Sequence, residues 1–343
     1  MRIGVTLGDP RGIGAEVVAG ALAAGRDDPG RAGVEFLLIG PPGLVPPALF
    51  EIPGIRSESV GSWAKRSEEA AGEEAAGEKA AGEKAAGHAS VAAIERGIEL
   101  ALGGEIDGLV TAPIAKAAVA AAGYPWPGHT ELLRERCGVA DVTMVMGAET
   151  TPLGGPLRVA LLTVHVALRE VTSLLDEELV VRRSLIAADA LRNWWGIPRP
   201  RLAYAGVNPH ASEGGLFGDE EARIIEPAMR RVARHDGLEV VGLHPADTVF
   251  RRCIDGLADV VMTPVHDVGL AVLKTLAPEQ GINVTAGLPF PRTSPDHGTA
   301  FDIAGRGAAD PRSMGAAIDA CVRFCRHSSS TGFQVGKRQD ASS

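Results

Sequence analysis

The sequence predicts an α/β protein of two domains, with mostly parallel sheets covered by helices on both faces. Three observations predict it. Short apolar runs bounded by glycine alternate with longer helical patterns along most of the chain. That alternation means parallel strands joined by crossover helices. The 343 residues exceed one domain of roughly 100–200 residues. The composition, 45% hydrophobic but only 4% aromatic, supplies a core built from Ala, Val, Leu and Ile.

Each element rests on its own pattern. Strands are expected at Arg2–Leu7, Val34–Ile39, Gly108–Thr111, Arg158–Val164, Arg201–Val207 and Asp259–Thr263, all compact apolar runs. Val91, Ile94, Ile98 and Leu102 recur at helical spacing, so Val91–Leu102 is expected to be a helix. Longer helical patterns cover Glu170–Trp195 and Asp219–Arg234. From 70 to 87 the chain repeats an AAGEK-like pentamer. Period five matches neither helix nor strand and places a destabilising glycine in every unit. The repeat therefore reads as a solvated low-complexity insertion rather than a binding repeat. The polar tail, 329–343, reads as disordered.

Charge and targeting exclude several functions. The net charge of −9 argues against a sequence-independent grip on nucleic acid, which needs clustered cations. The opening MRIGVTLGDP lacks the apolar stretch of a signal peptide, and no run approaches a membrane span. Four cysteines without a CxxC suit a reduced, cytoplasmic protein. The Cys321/Cys325 pair reads as two small residues on a helix face, with a metal half-site as the other reading.

The chemistry is expected at strand ends, because in doubly wound sheets ligands collect beyond the carboxyl ends of the strands. His165 follows ALLTV, His210 follows AYAGVNP and His266 follows VVMTPV. Three imidazoles in one topological position could hold a divalent metal and leave coordination places open to substrate oxygens. Asp247 and Asp267 are available as outer carboxylates that orient the rings. Lys274, on an expected helix, is joined by Asn283 and Arg292 on the loops either side of VTAGLPF. Ammonium, amide and guanidinium together suit a substrate carrying phosphate and carboxylate. Gly128–Glu131 (GHTE) opens a helix whose free N–H groups favour an anion, the plainer reading being Thr130 as an N-cap. Glycines 8, 12 and 14 in GDPRGIG do not form GxGxxG, and no Walker lysine exists. A nucleotide must therefore use another loop, and Asp296–Gly305 (DHGTAFDIAG) is the stretch left for it.

These motifs resemble one family. GDP with Gly12-Ile13-Gly14, TAPI with Lys116, GHTE, NPHASEGGLFGDEE, HPADTVF, HD-x-GL and RTSPDHGTAFDIAG run colinearly from residue 1 to about 328, and they resemble the 4-hydroxythreonine-4-phosphate dehydrogenase (PdxA) family. DHGTAFDIAG is also similar to the loop that binds the NAD adenosine in isopropylmalate and isocitrate dehydrogenases. The resemblance implies the two-domain isocitrate/isopropylmalate dehydrogenase-like fold, with the active site in the interdomain cleft. The first domain would take 1–128 plus 295–328 and the second, dimerising domain 129–294.

Further implications fall on individual residues. His165, His210 and His266 match the ligands of a divalent metal (Zn, Mg or Co), with His266 contributed by the other subunit of a homodimer. His129, Thr130, Lys274, Asn283 and Arg292 match substrate-binding positions, and Asp296, His297, Gly298, Thr299 and Asp302 the NAD or NADP site. Lys116, Asp247 and Asp267 are the catalytic candidates, with the proton relay open between Lys116 and Asp247. The implied reaction oxidises the 3-hydroxyl of a phosphorylated four-carbon hydroxy acid, 4-phosphohydroxy-L-threonine, and the β-keto acid then loses CO₂. A chelated metal suits both steps, since it favours the alkoxide and then the enolate.

Val265 and Val268 stand where the family commonly has Tyr and Gln around the His-Asp pair. ASEGGLFGDEE and AFDIAG look closer to a sister branch acting on D-threonate or D-erythronate 4-phosphate, which gives the second reading. A non-catalytic metal- and phosphate-binding homologue and an acyl phosphotransferase are readings from other classes. The complete histidine set counts against both.

Overall fold

The computed structural model describes residues 1–63 and 73–330. In chain order the elements are β1 (Arg2–Thr6), α1 (Gly14–Ala24), β2 (Glu35–Gly40), β3 (Ile55–Ser59), α2 (Glu73–Leu102), β4 (Gly108–Thr111), α3 (Lys116–Ala121) and α4 (His129–Arg136). There follow β5 (Thr143–Ala148), β6 (Leu157–Leu161), α5 (Leu168–Leu174), α6 (Glu177–Asn193), β7 (Arg201–Ala205), α7 (Glu226–Val232), β8 (Glu239–His244) and α8 (Val249–Ile254). The last are β9 (Val260–Thr263), α9 (His266–Leu276), β10 (Ile282–Ala286), β11 (Arg292–Pro295) and α10 (Arg312–Ser330). Every strand expected from the sequence is present, shifted at most at its ends.

The chain divides into two compact units, Met1–Ala140 with the segment from Leu288 onward, and Asp141–Gly287. The joins differ from the sequence expectation for a physical reason. Helix α4 packs on α2 and β11 pairs with β4, so His129–Arg136 and Arg292–Pro295 stay with the first unit.

In the first unit the strands run β3-β2-β1-β4-β11, all parallel. Helix α2 packs on β1, β2 and β4, and α10 packs on β4 and β11. In the second unit the order is β10-β5-β6-β9-β7-β8. β10 to β5 and β5 to β6 are antiparallel, and β6, β9, β7 and β8 are parallel. Strands β5, β6 and β9 are buried along their whole length, as expected for a sheet covered on both faces. Strands β3, β5, β8, β10 and β11 add to those expected from the sequence.

Three expectations are corrected. The pentamer repeat, from Glu73 on, is part of α2, residues 70–72 lying outside the described ones. Its Ala, Glu and Lys are strong helix formers, which outweighs the cost of the glycines. Gly87 has a reason to be there, since a Cβ would lie 2.0 Å from the Ala118 carbonyl oxygen of α3. The Glu170–Trp195 pattern is two helices, because the Asp176 side chain accepts from Leu179 N at 2.7 Å and starts α6 afresh. At the C-terminus α10 continues to Ser330, with Ser328 and Ser329 hydroxyls donating to the Phe324 and Cys325 carbonyls. The rest of the expected tail, 331–343, lies outside the described residues. Cys321 and Cys325 are buried, which fits the packing reading of the pair. Among the described residues no helix is long and apolar enough to cross a membrane.

Candidate active site

In the second unit four neighbouring parallel strands end at residues that carry chemistry. His165 follows β6, His266 follows β9, His210 follows β7 and Asp247 follows β8. His266 is the first residue of α9. Its helix lies close on the sheet because residue 269 is glycine: a Cβ there would come 2.5 Å from Val159 Cγ1 and 2.9 Å from Thr263 Cγ2. Val268, on the same turn, packs against the core of the unit. The rings of His165 and His266 lie 5.3 Å apart between centroids. His266 Nδ1 sits 2.7 Å from Asp267 Oδ1, an outer carboxylate contact that fixes the ring and leaves Nε2 for another partner.

His210 is held differently. Residues 210–214 all have positive φ, from 45° to 70°, making a left-handed turn in which each non-glycine residue costs roughly 1–2 kcal/mol. The His210 ring lies 6.1 Å from that of Phe217. Among the described residues of the single chain, no three His, Cys, Asp or Glu side chains gather closely enough to hold a metal ion. Two of the three expected imidazoles thus come together and the third stands off on its turn. Two imidazoles, one of them oriented by a carboxylate, are the right chemistry for part of a divalent-cation donor set, which needs a third ligand to complete it.

The turn is bound to Glu221, a carboxylate only 2% exposed. Its Oε1 accepts from the backbone N–H of Val207 at 2.8 Å and of Asn208 at 2.7 Å. Its Oε2 accepts from Asn208 Nδ2 at 2.9 Å and from the Ser212 hydroxyl. Burial alone would raise this carboxyl's pKa, but the bonds from Asn208 and Ser212 outweigh it and leave the group below its ordinary value. Glu221 opens a π-turn, Glu221–Ile225. Pro227 in the first turn of α7 has no N–H to continue the regular ladder, which accounts for the wider turn.

Asn283 and Arg292 lie in strands β10 and β11 rather than in loops, a correction of the sequence reading. Asn283 pairs with Met146 in the antiparallel ladder, and its Oδ1 is buried without a hydrogen-bond partner. Lys274 lies in the last turn of α9.

In the first unit Arg292 is 1% exposed, and its Nη2 donates to Thr111 Oγ1 at 2.5 Å. Burial pulls its pKa down to about 9. His129 is the first residue of α4, after Gly128 at the N-cap, so Thr130 is inside the helix and not its cap. Burial holds the His129 imidazole well below its ordinary pKa, the Arg292 charge acts in the same direction, and a bond with the Ala112 backbone opposes them. His129 Nε2 is buried without a hydrogen-bond partner. A neutral imidazole beside a desolvated guanidinium is a pair that an anion would satisfy. Lys116 opens α3, and its Cε lies 3.8 Å from where a Gly128 Cβ would sit.

The 296–302 loop is braced by the glycine-rich segment that failed as a dinucleotide fingerprint. Ile13 N donates to the Thr299 carbonyl at 3.0 Å, and a Cβ on Gly12 would lie 2.8 Å from that oxygen. Arg11 pairs with buried Asp9 at 2.8 Å and lies over the Phe301 ring at 4.9 Å. Asp296 N donates to Ser313 Oγ at 3.2 Å, and His297 Nδ1 lies 3.1 Å from the Gly298 carbonyl. Asp302 is exposed in the same loop. Sequence reasoning passed over Thr111 and Glu221. Each stood inside a quoted motif, but only the fold reveals its partner.

Residues 51–321 match the family model for the pyridoxal phosphate biosynthetic protein PdxA. The chain belongs to the PdxA family. A relative from Caulobacter vibrioides, named 4-hydroxythreonine-4-phosphate dehydrogenase, is 40% identical over 94% of this chain and 97% of its own. One of the same name from Maricaulis maris is 47% identical over 68% of this chain and 69% of its own. The crystal structure of the Klebsiella pneumoniae 4-hydroxythreonine-4-phosphate dehydrogenase superposes with a TM-score of 0.77 at 37% identity, covering 94% of this chain and 99% of that one. This PdxA family member is an oxidoreductase of the dehydrogenase type.

Proposed function

We propose that this PdxA family member oxidises the 3-hydroxyl of 4-phosphohydroxy-L-threonine with NAD⁺ or NADP⁺, and that the β-keto acid then loses CO₂ to give 3-amino-2-oxopropyl phosphate. The observation that carries the proposal is the placement of His165, His266, His210 and Asp247 at the ends of four neighbouring parallel strands. A divalent ion (Zn, Mg or Co) held by the three histidines, in a homodimer whose subunits share the site, would favour ionisation of the substrate hydroxyl and stabilise the enolate after decarboxylation.

The chain's own residues do the rest. Asp267 holds the His266 ring through Nδ1. Arg292 and Lys274 bind the anionic groups, His129 stays neutral as a hydrogen-bonding partner, and Thr130 and Asn283 complete the orientation. Asp296, His297, Gly298, Thr299 and Asp302 serve the dinucleotide, and Lys116 or Asp247 moves the proton. A phosphorylated substrate and a soluble cofactor suit a cytoplasmic reaction, away from membrane and nucleic acid.

Val265 and Val268 favour a second reading, the same oxidative decarboxylation of D-threonate or D-erythronate 4-phosphate. Val268 packs into the core and offers no polar group to a substrate amine. The test is NAD(P)H formation by the metal-supplied enzyme with each substrate separately. Turnover of 4-phosphohydroxy-L-threonine is the expected result. Turnover of the sugar acids alone would replace the first reading by the second, and turnover of none would sink both.

A further inference from the structure

We propose that Glu221 is a positioning residue: its buried carboxylate holds the left-handed turn after β7 and thereby sets the place of His210. The inference rests on the reading of His210 as a metal ligand and adds a residue that the reading does not contain.

The starting point is a conformation the sequence disfavours. His210, Ala211, Ser212 and Glu213 are consecutive non-glycine residues at positive φ, where L-residues rarely stay as a run. Something outside the turn must therefore hold it. Within the turn, Ala211 N donates to the Asn208 carbonyl at 3.1 Å, and the N–H groups of Leu216 and Phe217 donate to the Ser212 carbonyl, all of them bonds between neutral backbone groups. Glu221 adds a charged anchor from outside the turn. It grips the entry of the turn through the backbone of Val207 and Asn208, and its middle through the Ser212 hydroxyl. Asn208 Nδ2 reaches both Glu221 and the adjacent Glu220, the latter at 2.7 Å. His210 lies between the two gripped points, Asn208 and Ser212. All donors aim at one carboxylate, so the bonds are charge-assisted and stronger than neutral ones.

Chemistry distinguishes this carboxylate from a metal ligand. Both of its oxygens are engaged by the turn, so its role is to act through His210 rather than on the substrate. An amide at the same place would keep an acceptor for the Val207 and Asn208 N–H groups. It would also turn a donor toward Asn208 Nδ2, breaking the grip without emptying the space.

The test compares the full-length protein with Glu221→Gln, His210→Ala and the double variant. Zinc affinity is read by calorimetry, NAD⁺ affinity by fluorescence, and amide hydrogen exchange at residues 207–217 by mass spectrometry. Glu221→Gln is expected to speed exchange in 207–217 about tenfold or more. It should also weaken zinc binding about 10–100-fold, as loss of supporting groups around a metal ligand does. NAD⁺ affinity should stay at the wild-type value. In the double variant zinc binding should be no weaker than in His210→Ala alone, since both changes remove one contribution. Ser212→Ala removes one strap and leaves the carboxylate, so it should move both readouts the same way by less.

Wild-type exchange and zinc affinity in Glu221→Gln would overturn the proposal, as would losses that add fully to those of His210→Ala. If His210→Ala itself binds zinc as wild type does, the metal reading falls. The exchange rates then decide by themselves whether Glu221 holds the turn.

Discussion

His129 and His266 occupy the same local position, the first residue of a helix, yet their surroundings make them different chemical tools. His129, at the start of α4, is buried beside the Arg292 guanidinium, and both burial and that charge keep it neutral. His266, at the start of α9, has Asp267 Oδ1 at 2.7 Å from its Nδ1. A cation nearby makes an imidazole a neutral hydrogen-bonding group for an anionic substrate. A carboxylate nearby fixes the orientation of the ring and leaves its other nitrogen for a metal. Helix position alone therefore says little about a histidine's task, and the charge next to it says more.

The largest effect that would sharpen the contrast is removal of the ligand itself. His266→Ala should lower kcat/KM by more than about 100-fold, the upper end of what outer-sphere losses cost. The bound metal should fall with it. Activity within a few-fold of wild type would break the contrast at its root. Asp267→Asn should then weaken divalent metal binding about 10–100-fold while the fold survives. Metal titration of the variant measures this directly, and an unchanged affinity would mean that the carboxylate does not tune His266.

The His129 side of the comparison is tested by pH. Its folded pKa is depressed, so below the ordinary imidazole value the unfolded chain takes up a proton that the native state refuses. Stability is therefore lost as pH falls below about 6.5, by up to about 1.4 kcal/mol per pH unit. Urea unfolding at pH 7.5 and 5.5 should show a larger loss in the wild type than in His129→Gln, where His244, also depressed by burial, still contributes. Equal pH dependence in the two proteins would contradict a neutral, buried His129. The smallest effect concerns the turn that carries His210. Glu213 is exposed at φ 45°, and Glu213→Gly should raise stability by about 1 kcal/mol by relieving the left-handed strain. A loss of stability would show that the turn is not strained at that residue.

The sequence carried much of this. The strand–helix alternation was legible because parallel strands buried on both faces read as unbroken apolar runs, as in β1, β4 and β9. The strand-end placement of the three histidines was legible because each follows such a run. What was not legible depends on long-range contacts. Asn283 and Arg292 stand beside glycines and prolines that read as loop, yet pairing with Met146 and with Leu109 makes both strand residues. The pentamer repeat reads as a poor helix until α3 is seen against Gly87. Glu221 looks like one of several acids in GDEE, and only the left-handed turn folded onto it gives it a distinct task. Thr111 likewise closes a strand without distinction until Arg292 donates to it.

The proposed function has histidines from neighbouring strand ends hold one divalent ion on which dehydrogenation depends. Its most direct test is NAD(P)H formation with 4-phosphohydroxy-L-threonine before and after chelator treatment, followed by return of zinc, magnesium or cobalt. Loss of turnover in the stripped protein and its recovery with a divalent ion is the predicted result. Full turnover by the protein shown to be metal-free would contradict the claim.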